Sequence, residues 1–154
     1  FESRNIPEDY ISHEGLRFSF YKSLSSAVNG DEIDNILYHL INRFGPPPFS
    51  VNNLIKECRL RLLAASAGVL SMRTLGCGLV CRVAQNNDEN FVAVVLEFFR
   101  AFFFGAGVDF HFLSGSGADL LVCLHIANDT DKYSLLSEFL DKFNVLNCDF
   151  IGGL

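Results

Sequence analysis

The helix stop at Asn42-Arg43-Phe44-Gly45-Pro46-Pro47-Pro48 constrains this chain more than any other feature. Gly accepts the positive φ that a helix end demands, and Pro can neither donate to the next turn nor fit against the preceding one. Upstream, Ile33, Ile36, Leu37, Leu40, Ile41 and Phe44 recur every three or four residues. The spacing predicts a helix over 31–44 with these six on one buried face. Asp31, Glu32 and Asp34 fall in its first turn and Arg43 in its last, both complementing the helix dipole. Asn29-Gly30-Asp31-Glu32 is a cap-like link to an aromatic-rich first helix over 16–27, with Phe18, Tyr21 and Leu24 or Ser25 as its stripe. Ser50 is expected to cap a third helix whose stripe is Val51, Leu54, Ile55, Cys58, Leu62 and Ala65 and whose end is Gly68. Residues 1–14 read as an extended leader, and residues 15–154 as a single domain.

Beyond Gly68 the texture turns β-rich. Segments 69–75 and 79–84 flank Gly76-Cys77-Gly78, and 108–113 and 120–126 flank Ser114-Gly115-Ser116-Gly117, so both read as hairpins. Between them, 89–104 is a helix apolar on nearly all sides. After them, Asp129 or Thr130 is expected to cap a last helix running to about Phe143, with Tyr133, Leu136, Phe139, Leu140 and Phe143 inward. The order is ααα-ββ-α-ββ-α, an α+β class with a mostly antiparallel four-stranded sheet packed with helices. A hairpin-helix echo between 69–104 and 108–143 reads as coincidence of a common motif.

Charge and cysteine content narrow the function. The net charge is −6 and the twelve Lys and Arg are scattered, so no phosphate-binding cluster exists and nucleic acid is not expected as a direct partner. The apolar run 91–107 is short for a bilayer and is interrupted by Glu97 and Arg100, so no membrane partner is expected. The chain opens on Phe without the pattern of a signal peptide, and so reads as a piece of a longer protein. Five irregularly spaced Cys fit a reduced cytoplasmic protein better than a disulfide framework.

Chemistry-bearing clusters are sparse. Cys77, Cys81, Cys123 and His125 are the one set whose types suit zinc, but two apolar strands explain them as core thiols. His13, His39, His111 and His125 each read as surface or capping residues, His111 beside Asp109 on a strand's polar face. The glycine loops join strand to strand and lack Lys, unlike phosphate-cradling loops. No cofactor and no catalytic residue are expected. The Phe98-Phe99 and Phe102-Phe103-Phe104 cluster reads as interior, with docking on a partner as the alternative. Arg43 and Phe44, beside the rigid proline turn, have the makeup of an interaction knob.

Three motifs in order carry a family resemblance. Ile6-Pro7-Glu8-Asp9-Tyr10-Ile11 leads in; Leu16-Arg17 with Tyr21-Lys22 follows; Arg43-Phe44-Gly45 with Pro48 closes the set. Over residues 5–75 the chain resembles the C-terminal domain of the bacterial transcription-repair coupling factor family. The resemblance implies a non-catalytic regulatory domain of a cytoplasmic ATP-driven DNA translocase that displaces stalled RNA polymerase and recruits UvrA. It also implies a clamp that folds back on the N-terminal UvrA-binding module of the same chain. The family has an acid before Arg-Phe-Gly where this chain has Asn42, with His39 three residues earlier. The interface implied is therefore His39, Asn42, Arg43 and Phe44. The alternative reading is a small-molecule-binding regulatory module.

Overall fold

The structure, a computed structural model, describes residues 3–75, 78–83, 89–113, 120–126 and 131–151. Helices α1 (Glu14–Ser26), α2 (Gly30–Phe44) and α3 (Phe49–Ser66) precede β1 (Val69–Leu75), β2 (Gly78–Val83), α4 (Glu89–Gly105), β3 (Asp109–Leu113), β4 (Leu120–His125) and α5 (Lys132–Ile151). This is the order and the α+β class expected. Contacts divide the chain into two compact units, residues 1–62 and 63–154, a border inside the stretch that the sequence reading treats as one domain.

In the first unit local chemistry sets where helices begin. α1 starts at Glu14, before the expected Leu16, because His13 Nδ1 accepts from the Leu16 N–H at 3.3 Å. α2 starts with a reciprocal box: Asn29 Oδ1 accepts from the Glu32 N–H at 2.9 Å, and the Glu32 carboxylate accepts from the Val28 N–H at 3.0 Å. α3 starts at Phe49 with no need of Ser50 as its cap, since the N–H groups of Val51 and Asn52 reach the Pro48 carbonyl at 3.0 and 3.1 Å.

Two apolar clusters hold these helices. One joins Leu24, Ala27, Ile33, Ile55 and Cys58. The other joins Ile6, Ile11, Leu40 and Val51, so the lead-in expected to be extended is folded into the core. A turn at residues 8–10 directs it there. The Ile6 N–H donates to the Tyr21 hydroxyl at 2.6 Å, and the Arg17 guanidinium donates to the Ile11 and Ser12 carbonyls at 2.7 and 3.0 Å. Arg4 pairs with Glu57 at 2.6 Å. Three residues of the expected stripes lie outside instead. Phe18 is 70% exposed because it sits more than half a turn from Phe20, which packs inward. Ile41 is 43% exposed, at the margin of the stripe centred on Leu40. Ala65 is also exposed, between buried Ala64 and Ala67.

In the second unit the strands form one sheet in the order β1-β2-β4-β3, every pairing antiparallel. Register sorts the faces, because paired residues share a face and neighbours along a strand alternate. Cys81 pairs with Val122 and Phe110 with Leu124, and all but half-buried Phe110 are buried on the face that meets α4. Phe103 of α4 lies 6.1 Å from Phe110, ring centre to ring centre. Phe139 of α5 sits 4.8 Å from both Phe99 and Phe103, and stacks on Phe143 at 5.6 Å. Phe99, Phe103, Phe139 and Phe143 are fully buried, so the interior reading holds for the inner half of the α4 aromatics, while Phe104 is 84% exposed. α4 ends in a Schellman turn, with the Val108 N–H on the Phe103 carbonyl, the Gly107 N–H on the Phe104 carbonyl and Gly107 at φ +67°. The cap of α5 is Asp131, whose carboxylate accepts from the Tyr133 and Ser134 N–H groups at 3.1 and 3.2 Å; Asp129 and Thr130 lie outside the described residues. α5 continues past the expected Phe143 to Ile151.

Phe139→Ala removes a ring at the centre of this packing and is expected to destabilise the chain by about 3–5 kcal/mol. Phe104→Ser at the exposed position is expected to shift stability by less than about 0.5 kcal/mol. Urea denaturation of the two variants checks the contrast.

Candidate functional site

The end of α2 is built by convergence of three segments. The Gly45 N–H donates to the Ile41 carbonyl at 2.9 Å and closes the helix, and Gly45 takes φ +82°, ψ −167°. That region is open to glycine and strained for other residues. The Gly45 carbonyl, turned outward, accepts the Tyr10 hydroxyl at 2.8 Å. Phe44 is half-buried, its ring 5.9 Å from Tyr10 of the lead-in and 6.1 Å from Phe20 of α1, the latter edge-on. Burial pushes the Tyr10 hydroxyl above its ordinary range. The Arg43 guanidinium lies over the outer face of this assembly, 5.3 Å from the Phe44 ring centre.

The opposite side of the same helix end is bare. At about 100° per residue, Ile41, Tyr38, Asn42, His39 and Arg43 follow one another around the helix as a continuous arc. All five are exposed, Tyr38 by 63%. Tyr38 and His39 touch edge to face at 5.9 Å. Of the residues the family resemblance points to, His39, Asn42 and Arg43 lie on this arc and Phe44 is the buttress beneath it. Tyr38 and Ile41 supply its apolar area and Tyr10 its support, and the sequence reading assigned none of the three to it. The signal for Tyr38 was there: an aromatic half a helix turn away from the buried side of the stripe has no interior place. That side is formed by Ile36, Leu37 and Leu40.

The other clusters separate rather than converge. Cys81 faces Val122, and Cys123 with His125 lies on the opposite face of the sheet, where Cys123 Sγ is 3.9 Å from His125 Nε2. Cys77 lies outside the described residues. Among the described residues no group of three or more His, Cys, Asp or Glu side chains is placed to hold a metal ion. Cys58, Cys81 and Cys123 are buried thiols. Burial, helped by Cys123, pushes the Cys81 thiol up to about 12, and burial likewise raises Cys58. His13 is a helix cap, as read from sequence, and His111 stands opposite Cys123 in the register. The glycine loop 115–117 is outside the described residues. A surface groove on the second unit is lined by Ala101, Phe102, Ala106, Leu135, Glu138 and Lys142. Its charged groups are already engaged with each other, Lys142 with Glu138 at 2.7 Å and with the Phe102 ring at 5.3 Å, which leaves little to orient a ligand. Among the described residues no helix is long and apolar enough to cross a membrane.

Residues 3–94 match the family model described as the TRCF domain. The chain is 34% identical over 85 residues to the transcription-repair-coupling factor of Escherichia coli (strain K12), covering 55% of this chain and 7% of that protein. It is 31% identical over 93 residues to the Haemophilus influenzae counterpart, covering 58% of this chain and 8% of that protein. The chain thus spans less than a tenth of the length of these relatives. A crystal structure of the C-terminal domain of a transcription-repair coupling factor shares the fold, with a TM-score of 0.67 at 17% identity over 94% of this chain and 90% of that one.

Two outcomes test the geometry above. Gly45→Ala meets no neighbouring atom within 4 Å, so its whole effect is backbone strain; a loss of about 1–3 kcal/mol is expected in urea denaturation. Cys81 ionises near 9.0 when free and near 12 when folded, so above pH 9 the unfolded chain holds fewer protons than the folded one. Stability is therefore expected to fall between pH 9 and about 12, with a shallower fall in Cys81→Val, measured by denaturation midpoints across that range.

Proposed function

This chain belongs to the TRCF domain family, and from that premise we propose that it is the non-catalytic C-terminal regulatory domain of a transcription-repair coupling factor. In this reading the parent is a cytoplasmic, ATP-driven DNA translocase that removes stalled RNA polymerase and brings UvrA to the lesion in nucleotide excision repair. The domain docks on the N-terminal UvrA-binding module of its own chain and masks the surface that UvrA uses. The exposed arc at the end of α2 is the observation that carries the proposal. Tyr38 and Arg43 stand with the aliphatic Ile41 on a helix end supported from behind, and Tyr and Arg are enriched among the residues that dominate binding energy where interfaces have been dissected.

The arc also suits reversible release. Intrachain interfaces are modest and polar as a rule, and this one mixes Tyr38 and Ile41 with Asn42, His39 and Arg43. Closed, the domain competes with UvrA for one surface; open, it frees that surface. Asn42 keeps a hydrogen-bond acceptor where the family has a carboxylate, and adds donors, but it carries no charge. Contact at that position is therefore polar rather than ionic.

The purified chain is expected to bind the N-terminal UvrA-binding module of its parent protein and to be displaced by UvrA. Ile41→Asp and Tyr38→Ala are each expected to weaken binding by about tenfold or more, or about 1.4 kcal/mol. Isothermal titration calorimetry measures this directly. Absence of binding at high micromolar concentration, with the chain shown folded by circular dichroism, overturns the clamp.

A further inference from the structure

Five arginines stand in the first unit, and four of them are committed to oxygen acceptors. Arg4 pairs with Glu57 and Arg59 with Asp34. Arg17 donates to the carbonyls of Ile11 and Ser12, and Arg61 to those of Leu24 and Ser25. Arg43 is the exception among the described residues: it is exposed, it makes no hydrogen bond or ion pair, and its guanidinium lies over the Phe44 ring. Stacking holds a guanidinium plane in place while leaving its in-plane donors unused. Its position in the last turn complements the helix dipole, but that interaction uses charge and leaves the donors unused too. The acids of α2, Asp31, Glu32 and Asp34, all stand in its first half, and none follows Asp34 before the turn. The arc around Arg43 is apolar at Ile41 and Tyr38 and uncharged at Asn42.

We infer that the end of α2 receives a carboxylate. The occupant is a segment of the longer parent protein that presents an Asp or Glu side chain beside an apolar one, the carboxylate forking onto Arg43 and the apolar group covering Tyr38 and Ile41. This rests on the reading of α2's end as the docking surface and adds its chemistry. The match is one of charge and shape: a planar guanidinium with free, prepositioned donors binds a carboxylate through two parallel hydrogen bonds, and a neighbouring basic residue would instead be repelled. More than nine-tenths of the length of the relatives lies outside the stretch they share with this chain, so the parent has ample sequence to supply the segment.

The test uses the whole 154-residue chain, isotopically labelled, and two synthetic helical peptides with the same Leu and Phe face. One peptide flanks that face with Glu and the other with Lys. The Glu peptide is expected to shift the backbone amides of residues 38–45, to bind about tenfold more weakly to Arg43→Gln, and to lose affinity at about 0.3 M salt. Arg43→Lys is expected to recover part of the loss, since it keeps the charge without the fork. Equal or tighter binding of the Lys peptide, an unchanged affinity in Arg43→Gln, shifts confined to other residues, or no binding of either peptide overturns the inference. The UvrA-binding module, titrated in parallel, separates this from the clamp. If the module binds and Arg43→Gln leaves it unaffected, the clamp stands and the carboxylate inference falls. If the Glu peptide seats on α2 and the module does not bind, the clamp falls and the inference stands.

Discussion

The hydrogen bond from the Tyr10 hydroxyl to the Gly45 carbonyl ties together what the first unit depends on. It fastens the lead-in to the end of α2 across thirty-five residues of chain. It exists because Gly45 takes a conformation that turns its carbonyl outward, and because Tyr10 is held beside Phe44 by ring packing. The turn that follows is then fixed by three prolines, which deny α2 a further residue and hand the Pro48 carbonyl to the start of α3. A rigid helix end with a supported back and a bare front is the consequence. Rigidity matters for docking, since side chains already in place lose less freedom on binding.

The lead-in explains why family likeness is concentrated where it is. The three motifs that carry it, at residues 6–11, 16–22 and 43–48, meet physically at this helix end. Tyr10 comes from the first, Phe20 and Tyr21 from around the second, and Phe44 and Gly45 from the third. Tyr21 accepts from the Ile6 N–H, so even the two upstream motifs are bonded to each other. Motifs distant in sequence but joined in space are what a shared structural element leaves behind when the surrounding residues diverge.

Much of the fold was legible because its signals are local. The period of α2, the Asn29 cap and the Gly45 stop each rest on chemistry within four residues. The stripe of α5 through Phe139 and Phe143 was readable for the same reason. The errors fall where the deciding neighbour is remote. Nothing near residues 1–14 says that Ile6 and Ile11 will be buried against Leu40 and Val51. Ile41 satisfies the helical period of the buried face, and only the arrangement of neighbouring helices leaves it outside. The same limit hides the candidate site. His39, Asn42, Arg43 and Phe44 could be named by resemblance, but what sets Arg43 apart from Arg4, Arg59 and Arg61 is that the partners of those three lie 25 or more residues along the chain.

A lock of the kind proposed has to open, and so needs a surface of limited strength. Keeping a site covered 99% of the time requires about 2.7 kcal/mol of net preference, half of what a full inversion of the two populations demands. The proposed guanidinium–carboxylate fork, with partial burial of an aromatic and an aliphatic side chain, is of that order once the entropy of ordering is deducted. A larger apolar arc would hold too tightly and would make the free domain prone to self-association. An arc of charge alone would be weakened by physiological salt. The mixed composition of Ile41, Tyr38, Asn42, His39 and Arg43 lies between these limits, and their common position on one helix end would let the proposed contacts form or break together.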